Sequence, residues 1–430
     1  MIKFLKKLNT LLCLSAFTAG SIIFCLCGFK TAIPKGVTVN GEDVGGLTVQ
    51  SAVKTLRTKI QSELSQKTLK IIADKKEYAF TYPEISYKDD LREVLRTAKR
   101  DGSYTAKVTY YLCGLEEVVA AICSDERIEK VEPFAEFKAF GDPFIYHEGN
   151  DGRQVDFTRL KADIQASLKG DFEPVTIKYF NIHRQKTLDT VKAETKLLSS
   201  FTTSFDSANI NRSSNIRLAA ALLNGVILEG GKTLSFNDLV GARLPERGFL
   251  PAKIIENGEY TEGVGGGVCQ VSTTLYNAAL LAGMTVTEYH PHSLAVGYVA
   301  PSRDAMVSGK TCDLKFQNPS KFPVYIRSFT QNGTVSFEIY GKSDGAIYSI
   351  ESQITGTISP TQELCTDPAL VREGRDGITS DGYLIINRAG FIKRVKIRTD
   401  KYLPQKRVVL SDFELPPEAN PIDNSNLSDN

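Results

Sequence analysis

The sequence predicts an α+β, multidomain, membrane-anchored chain, with a mixed α/β central domain and a small β-rich C-terminal module. Three observations predict it. At 430 residues the chain has room for about three folded units. An uncharged run of spanning length opens it. Strand-turn-helix patterns then give way, near the end, to alternating strands joined by turn dipeptides. Apolar residues at 42% and charged residues at 24% are ordinary for globular protein. A net charge of +2 lacks the basic excess of a nucleic-acid binder. No Walker loop, dinucleotide fingerprint or HExxH occurs, so neither nucleotide-driven nor zincin chemistry is expected, and no cofactor.

Residues 1–30 read as a cytoplasmic stub and an uncleaved signal-anchor. Lys3, Lys6 and Lys7 precede the uncharged run from Leu8 to Phe29, and Lys30 closes it. The run exceeds the usual apolar region of a cleaved signal peptide, and the upstream lysines favour a cytoplasmic N-terminus. Residues 31–430 are therefore expected outside the cytoplasm. Cys113, Cys123, Cys269, Cys312 and Cys365 lie in that part. An odd set cannot all pair within one chain.

Residues 31–195 read as an α+β region of two strand-turn-helix units. One has a helix opened by Thr48, with Ala52, Val53 and Leu56 on one face; the other spans roughly 136–180. Residues 201–342 form the central domain. Asn211 to Asn215 are cap candidates for an apolar helix, and alternating runs around Asn332-Gly333 predict a hairpin. Residues 345–412 are strand-rich, with a second hairpin turning at Ala389-Gly390. The tail, 413–430, is polar and proline-bearing and is expected to be disordered.

The segment EGVGGGVCQVSTTLYNAALLAG carries the chemistry. Its glycines lead into a helix from about Val268 to Ala282, with Val271, Leu275, Ala278 and Ala282 as a buried stripe. Cys269 falls in the first turn, where free N–H groups and the helix dipole favour a thiolate. N–H groups of the loop at Gly266 and Gly267 suit an oxyanion hole. Ser272, Thr273 and Tyr276 share the face of Cys269. About 20 residues on, His290 and His292 supply two of the four histidines, as candidate bases for the thiol. Asp304 is positioned to orient an imidazole, and Arg303 to bind a substrate carboxylate. All these groups precede residue 345, so the C-terminal module is expected to be dispensable for chemistry. The competing readings are a buried structural cysteine and a zinc set of Cys269, His290, His292 and Cys312.

GGGVCQVSTTLYNA and the later HPHS and RDA motifs resemble the VanW family, over about 140 residues in which this sequence is similar almost throughout. Members typically carry glycine before the RD pair, where this chain has Ser302. The region before the domain resembles the peptidoglycan-binding domain that precedes VanW domains. The stretch after 345 resembles the G-five adhesive module. The resemblance implies an exported protein of the Gram-positive cell wall, associated with glycopeptide resistance. It further implies an L,D-transpeptidase forming 3–3 peptidoglycan cross-links, with stem peptides and glycan as partners. On that reading Cys269 attacks the third stem residue's carbonyl and His292, ranked ahead of His290, is the base. Gly266, Gly267, Gln270, Ser272, Thr273, Tyr276 and Arg303 would contact substrate. The alternative is a non-catalytic peptidoglycan-anchoring protein.

Overall fold

A computed structural model describes residues 32–256, 258–309 and 311–410 and resolves two compact units. The expected signal-anchor and the expected disordered tail lie outside the described residues. Among those described, no helix is long and apolar enough to cross a membrane.

The first unit comprises residues up to Pro133 together with Glu148–Lys186. It has two apolar cores. One gathers Val37, Val39, Leu56 and Leu91; the other gathers Leu69, Ile71, Ile122 and Ile164. Helix Val49–Ser65 starts where Thr48 Oγ1 accepts from the Ser51 N–H at 3.2 Å, and it buries Ala52, Val53, Leu56, Ile60 and Leu64. Helix Phe157–Lys169 starts the same way at Asp156, which accepts from the Arg159 N–H at 2.8 Å.

The strand-turn-helix unit expected over 136–180 is divided. The hairpin of Phe134–Phe137 and Phe144–His147 belongs to the second unit. Aromatic packing decides this: Phe144 meets Tyr325 and Tyr340 edge-on, with ring centroids 5.1 and 5.6 Å apart.

The second unit holds a four-stranded antiparallel sheet in the order Lys196–Ser204, Thr334–Gly341, Val324–Gln331, Val226–Leu228. Asn332 and Gly333 both take positive φ, 50° and 71°, the tight turn whose twist matches the flanking strands. Helix Ile210–Leu223 packs on this sheet. It begins a turn earlier than the Asn211–Asn215 caps predict, because Asn209 Oδ1 accepts the Arg212 N–H at 3.1 Å. Asn215 becomes a buried helix residue. Helix Val268–Leu281 crosses the middle of the unit and is buried on almost every side. Its Val271, Leu275 and Ala278 join Phe337 and Ile339 in one core.

Three long antiparallel strands follow, in the order Ala346–Ile358, Gly377–Arg388, Phe391–Tyr402, with Ala389 and Gly390 at the second turn. The first of these strands packs directly against helix Val268–Leu281. That contact brings the C-terminal residues to the centre of the unit.

Candidate functional site

Cys269 lies in the first turn of helix Val268–Leu281, partly exposed on a cleft of about 430 Å³. The backbone in front of it requires glycine at two positions. A Cβ at Gly266 would stand 2.7 Å from the Lys253 carbonyl oxygen, and Gly267 takes φ +108°. Asn215 fastens this loop to the neighbouring helix. Its Nδ2 donates to the carbonyls of Leu250 and Gly266, each at 2.9 Å, and its Oδ1 accepts the Leu250 N–H at 2.8 Å. Asn215→Ala orphans three buried backbone groups, so a loss of about 2–3 kcal/mol is expected. Chemical denaturation checks it, and reactivity of Cys269 should fall with it, since the loop sets the sulfur's position.

His292 is the imidazole at the sulfur. It is 5% exposed, and its Nδ1 lies 2.7 Å from Asp304 Oδ2, which also accepts the His292 backbone N–H at 2.7 Å. With Nδ1 so occupied, Nε2 is left for the hydrogen bond to the Cys269 thiol. The cysteine, imidazole and carboxylate stand in series, with Asp304 innermost at 1% exposure.

The electrostatics follow from this order. Burial pushes the Cys269 thiol up, but the hydrogen bond and charge of His292, with Arg243 nearby, bring it below the ordinary thiol range. Burial alone would lower His292; Asp304 and Cys269 outweigh it and push it up to about 9. Burial would raise the Asp304 carboxyl, yet His292, Arg398 and Tyr402 hold it below its usual value. Both directions favour a thiolate beside an imidazolium over the neutral pair. Alkylation of Cys269 by iodoacetamide should stay fast at pH 7, where an ordinary thiol is mostly protonated. Any step in which His292 donates its proton should fade as pH rises through about 9. Rate against pH, read by mass at each cysteine, checks both limbs.

Asp304 is held by the C-terminal module. Tyr402 Oη donates to Asp304 Oδ1 at 2.5 Å, and Arg398 Nη1 donates to the Asp304 carbonyl at 2.6 Å. The Arg398 side chain is fully buried and also pairs with Asp400 at 2.5 Å. Ser302 takes φ +56°, a region that favours glycine. Its N–H donates to Tyr402 Oη at 2.7 Å, and its hydroxyl meets that of Ser380 at 2.7 Å. These bonds hold a serine where glycine would be easier. This geometry tells against the expectation that the module is dispensable for chemistry, since Tyr402 and Arg398 both bind the buried carboxylate.

Other expected site residues stand elsewhere. His290 turns to Glu288, Nε2 to Oε1 at 3.1 Å, and among the described residues no three His, Cys, Asp or Glu side chains gather as a metal site. Arg303 is drawn off the cleft; its Nε donates to Asn277 Oδ1 at 2.9 Å and its guanidinium lies 5.0 Å over Phe201. Ser272 Oγ donates to the Ala305 carbonyl at 2.6 Å, and Thr273 Oγ1 accepts the Ala305 N–H at 2.9 Å. Both are fully buried, and Tyr276 is buried under Arg398. Ser272 and Thr273 clamp the Asp304 segment to the helix, and none of the three lines the cleft, because the helix is enclosed rather than open on that face. Gly266, Gly267 and Gln270 do line it. Gln270 accepts from Arg212 at 2.9 Å and donates to Thr203 and to the Ser204 carbonyl. The unforeseen cleft residues include Arg212, Arg243, Lys253 and Tyr298. A second cleft of about 500 Å³ shares Arg212, Gln270, Gly297 and Tyr298 and runs on to Thr203 and Asp206.

Residues 211–340 match the family described as VanW like protein. The uncharacterized protein YoaR of Bacillus subtilis is 41% identical over 146 residues, 34% of this chain and 48% of that one. The vancomycin B-type resistance protein VanW of Enterococcus faecalis is 28% identical over 147 residues, 33% of this chain and 53% of that one. The chain spans about half the length of these curated relatives. No solved structure matches it.

Proposed function

We propose that this VanW family protein is a cysteine-dependent acyltransferase of the cell envelope, an L,D-transpeptidase joining peptidoglycan stem peptides. The observation that carries the reading is the buried Asp304–His292 pair set against Cys269 at the mouth of a cleft. A structural cysteine needs neither an imidazole on its sulfur nor a carboxylate behind that imidazole.

The steps balance with these groups alone. The Cys269 thiolate attacks the carbonyl carbon of the third stem residue, forming a C–S bond. Negative charge on the carbonyl oxygen falls near the positive end of helix Val268–Leu281, where the helix dipole opposes it. The C–N bond to the terminal D-alanine breaks, and His292 gives its proton to the leaving amine. An acceptor amine then attacks the thioester, loses a proton to His292 and releases the thiolate. The second cleft borders the first at Arg212, Gln270, Gly297 and Tyr298, and a second peptide seated there would favour transfer over hydrolysis. The leading uncharged run supports membrane anchoring, with this unit facing the wall. Association with glycopeptide resistance is proposed from the name of the Enterococcus relative.

Intact-protein mass after incubation with a tetrapeptide stem tests the reading. The expected result is one acyl adduct on Cys269, followed by 3–3 linked dimers when acceptor is added. Retention of the peptide with no adduct and no dimer would replace catalysis by non-catalytic peptidoglycan binding.

A further inference from the structure

The cleft at Cys269 is lined by Arg212, Arg243 and Lys253, and by no aspartate or glutamate among its described residues. Each cation rests on neutral groups. Arg243 Nη2 donates to Asn237 Oδ1, with the guanidinium 5.7 Å over the Phe236 ring. Arg212 Nη2 donates to Gln270 Oε1, and Lys253 Nζ stands 4.5 Å over the Tyr260 ring. Among the described residues none of the three has a carboxylate oxygen within ion-pair distance, whereas buried Arg398 and half-buried Arg153 each have two. Asp313 lies near Arg243 but is engaged with Ser235 and with the backbone N–H groups of Asn237 and Leu314. His292 is matched by Asp304, so it is the three cations, lining the cleft with no carboxylate among them, that leave it an excess of positive charge.

We propose that Arg243, with Arg212 and Lys253, forms a carboxylate-recognition subsite that selects an anionic acyl donor for Cys269. This rests on the acyl-transfer reading and names its substrate class: a short peptide with free carboxylates close to the carbonyl that is attacked. Guanidinium groups suit that task, since their parallel N–H donors match the two oxygens of a carboxylate. In a partly enclosed cleft they also concentrate anions ahead of reaction. The subsite takes over the carboxylate-binding role that the sequence suggests for Arg303, whose guanidinium is spent on Asn277 and Phe201.

The test compares two alkylating reagents of nearly equal size on the whole protein, iodoacetate and iodoacetamide. In each the sulfur forms a C–S bond and iodide leaves, so any change in thiol acidity cancels in the ratio of rates. Ordinary thiolates favour the neutral reagent. Cys269 is expected to favour iodoacetate by roughly tenfold, while Cys312 and Cys365 in the same protein do not. Arg243→Gln should bring the Cys269 ratio down toward that of Cys312. Lys253→Gln, a change on an exposed strand position, should lower it by a smaller factor without any question of folding. A dipeptide with a free C-terminal carboxylate should protect Cys269, and its amide should not. A Cys269 ratio equal to that of Cys312, or one unmoved by both substitutions, overturns the subsite. The two readings separate cleanly. An inverted ratio with no acyl adduct from the tetrapeptide keeps the subsite and removes the enzyme; an adduct with an ordinary ratio does the reverse.

Discussion

Cys269→Ala is expected to abolish both the acyl adduct and 3–3 dimer formation while the protein stays folded. Cys269 borders the cleft and is only partly buried as a residue, so removing its sulfur costs little packing, under about 1 kcal/mol, or a few degrees in melting temperature. A cysteine serving only the core would behave in the opposite way, losing stability and no chemistry. His292→Ala should lose as much turnover as Cys269→Ala, and the double variant no more than either, because the two act as one unit. It should also be less stable than Cys269→Ala, since Asp304 would keep a buried charge without the imidazolium beside it. Dimers formed at an undiminished rate by Cys269→Ala would defeat the enzyme reading.

The second large effect is expected far from the cleft. Tyr402→Phe removes one oxygen, the one that donates to Asp304 Oδ1 and accepts the Ser302 N–H. The phenol is held far above its usual range by burial and by Asp304, so it remains a donor throughout the working pH. Its loss frees the carboxylate that sets the tautomer and direction of His292. Acylation should slow roughly 10- to 100-fold, the usual cost of removing a group that orients a functional side chain. The stability cost should be about 1–3 kcal/mol, for one buried hydrogen bond to a charge and one orphaned N–H. Arg398→Met is harsher, because Asp400 and Asp304 would both keep buried charge without their cation; about 3–5 kcal/mol is expected. Removing every residue after 344 combines these losses and should leave Cys269 no more reactive than Cys312. If Tyr402→Phe matched the parent in both rate and melting temperature, the module would have no part in the site. Stopped-flow acylation and calorimetry on the same samples decide it.

Local patterns carried by neighbouring residues were open to reading in the sequence. Thr48 before an amphipathic run, Asn332-Gly333 between alternating strands and the glycine loop before Cys269 each encode a structure in a few adjacent positions. Hydrogen bonding and φ preferences act at that range, so no fold is needed to see them. Cys269, His292 and Asp304 stood out for the same reason, as the types able to make and steady a thiolate. Which neighbour each one meets depended on the fold. Ser272 and Thr273 share a helical face with Cys269, yet that face is covered by the Ala305 segment, so their hydroxyls bind backbone. Arg303 sits beside Asp304 in the chain and points to Asn277 instead of the cleft. Arg243 and Lys253 precede the cysteine by 26 and 16 residues in the numbering, and their charges look like any surface charge until the Pro251–Glu256 strand and the glycine loop fold around the sulfur. Tyr402 and Arg398 are the extreme case. They lie about a hundred residues beyond Asp304 on a hairpin whose alternation announces only a strand. Packing of the Ala346–Ile358 strand on the Cys269 helix carries them to the carboxylate, and a contact made across two sheets leaves no periodic trace in the chain.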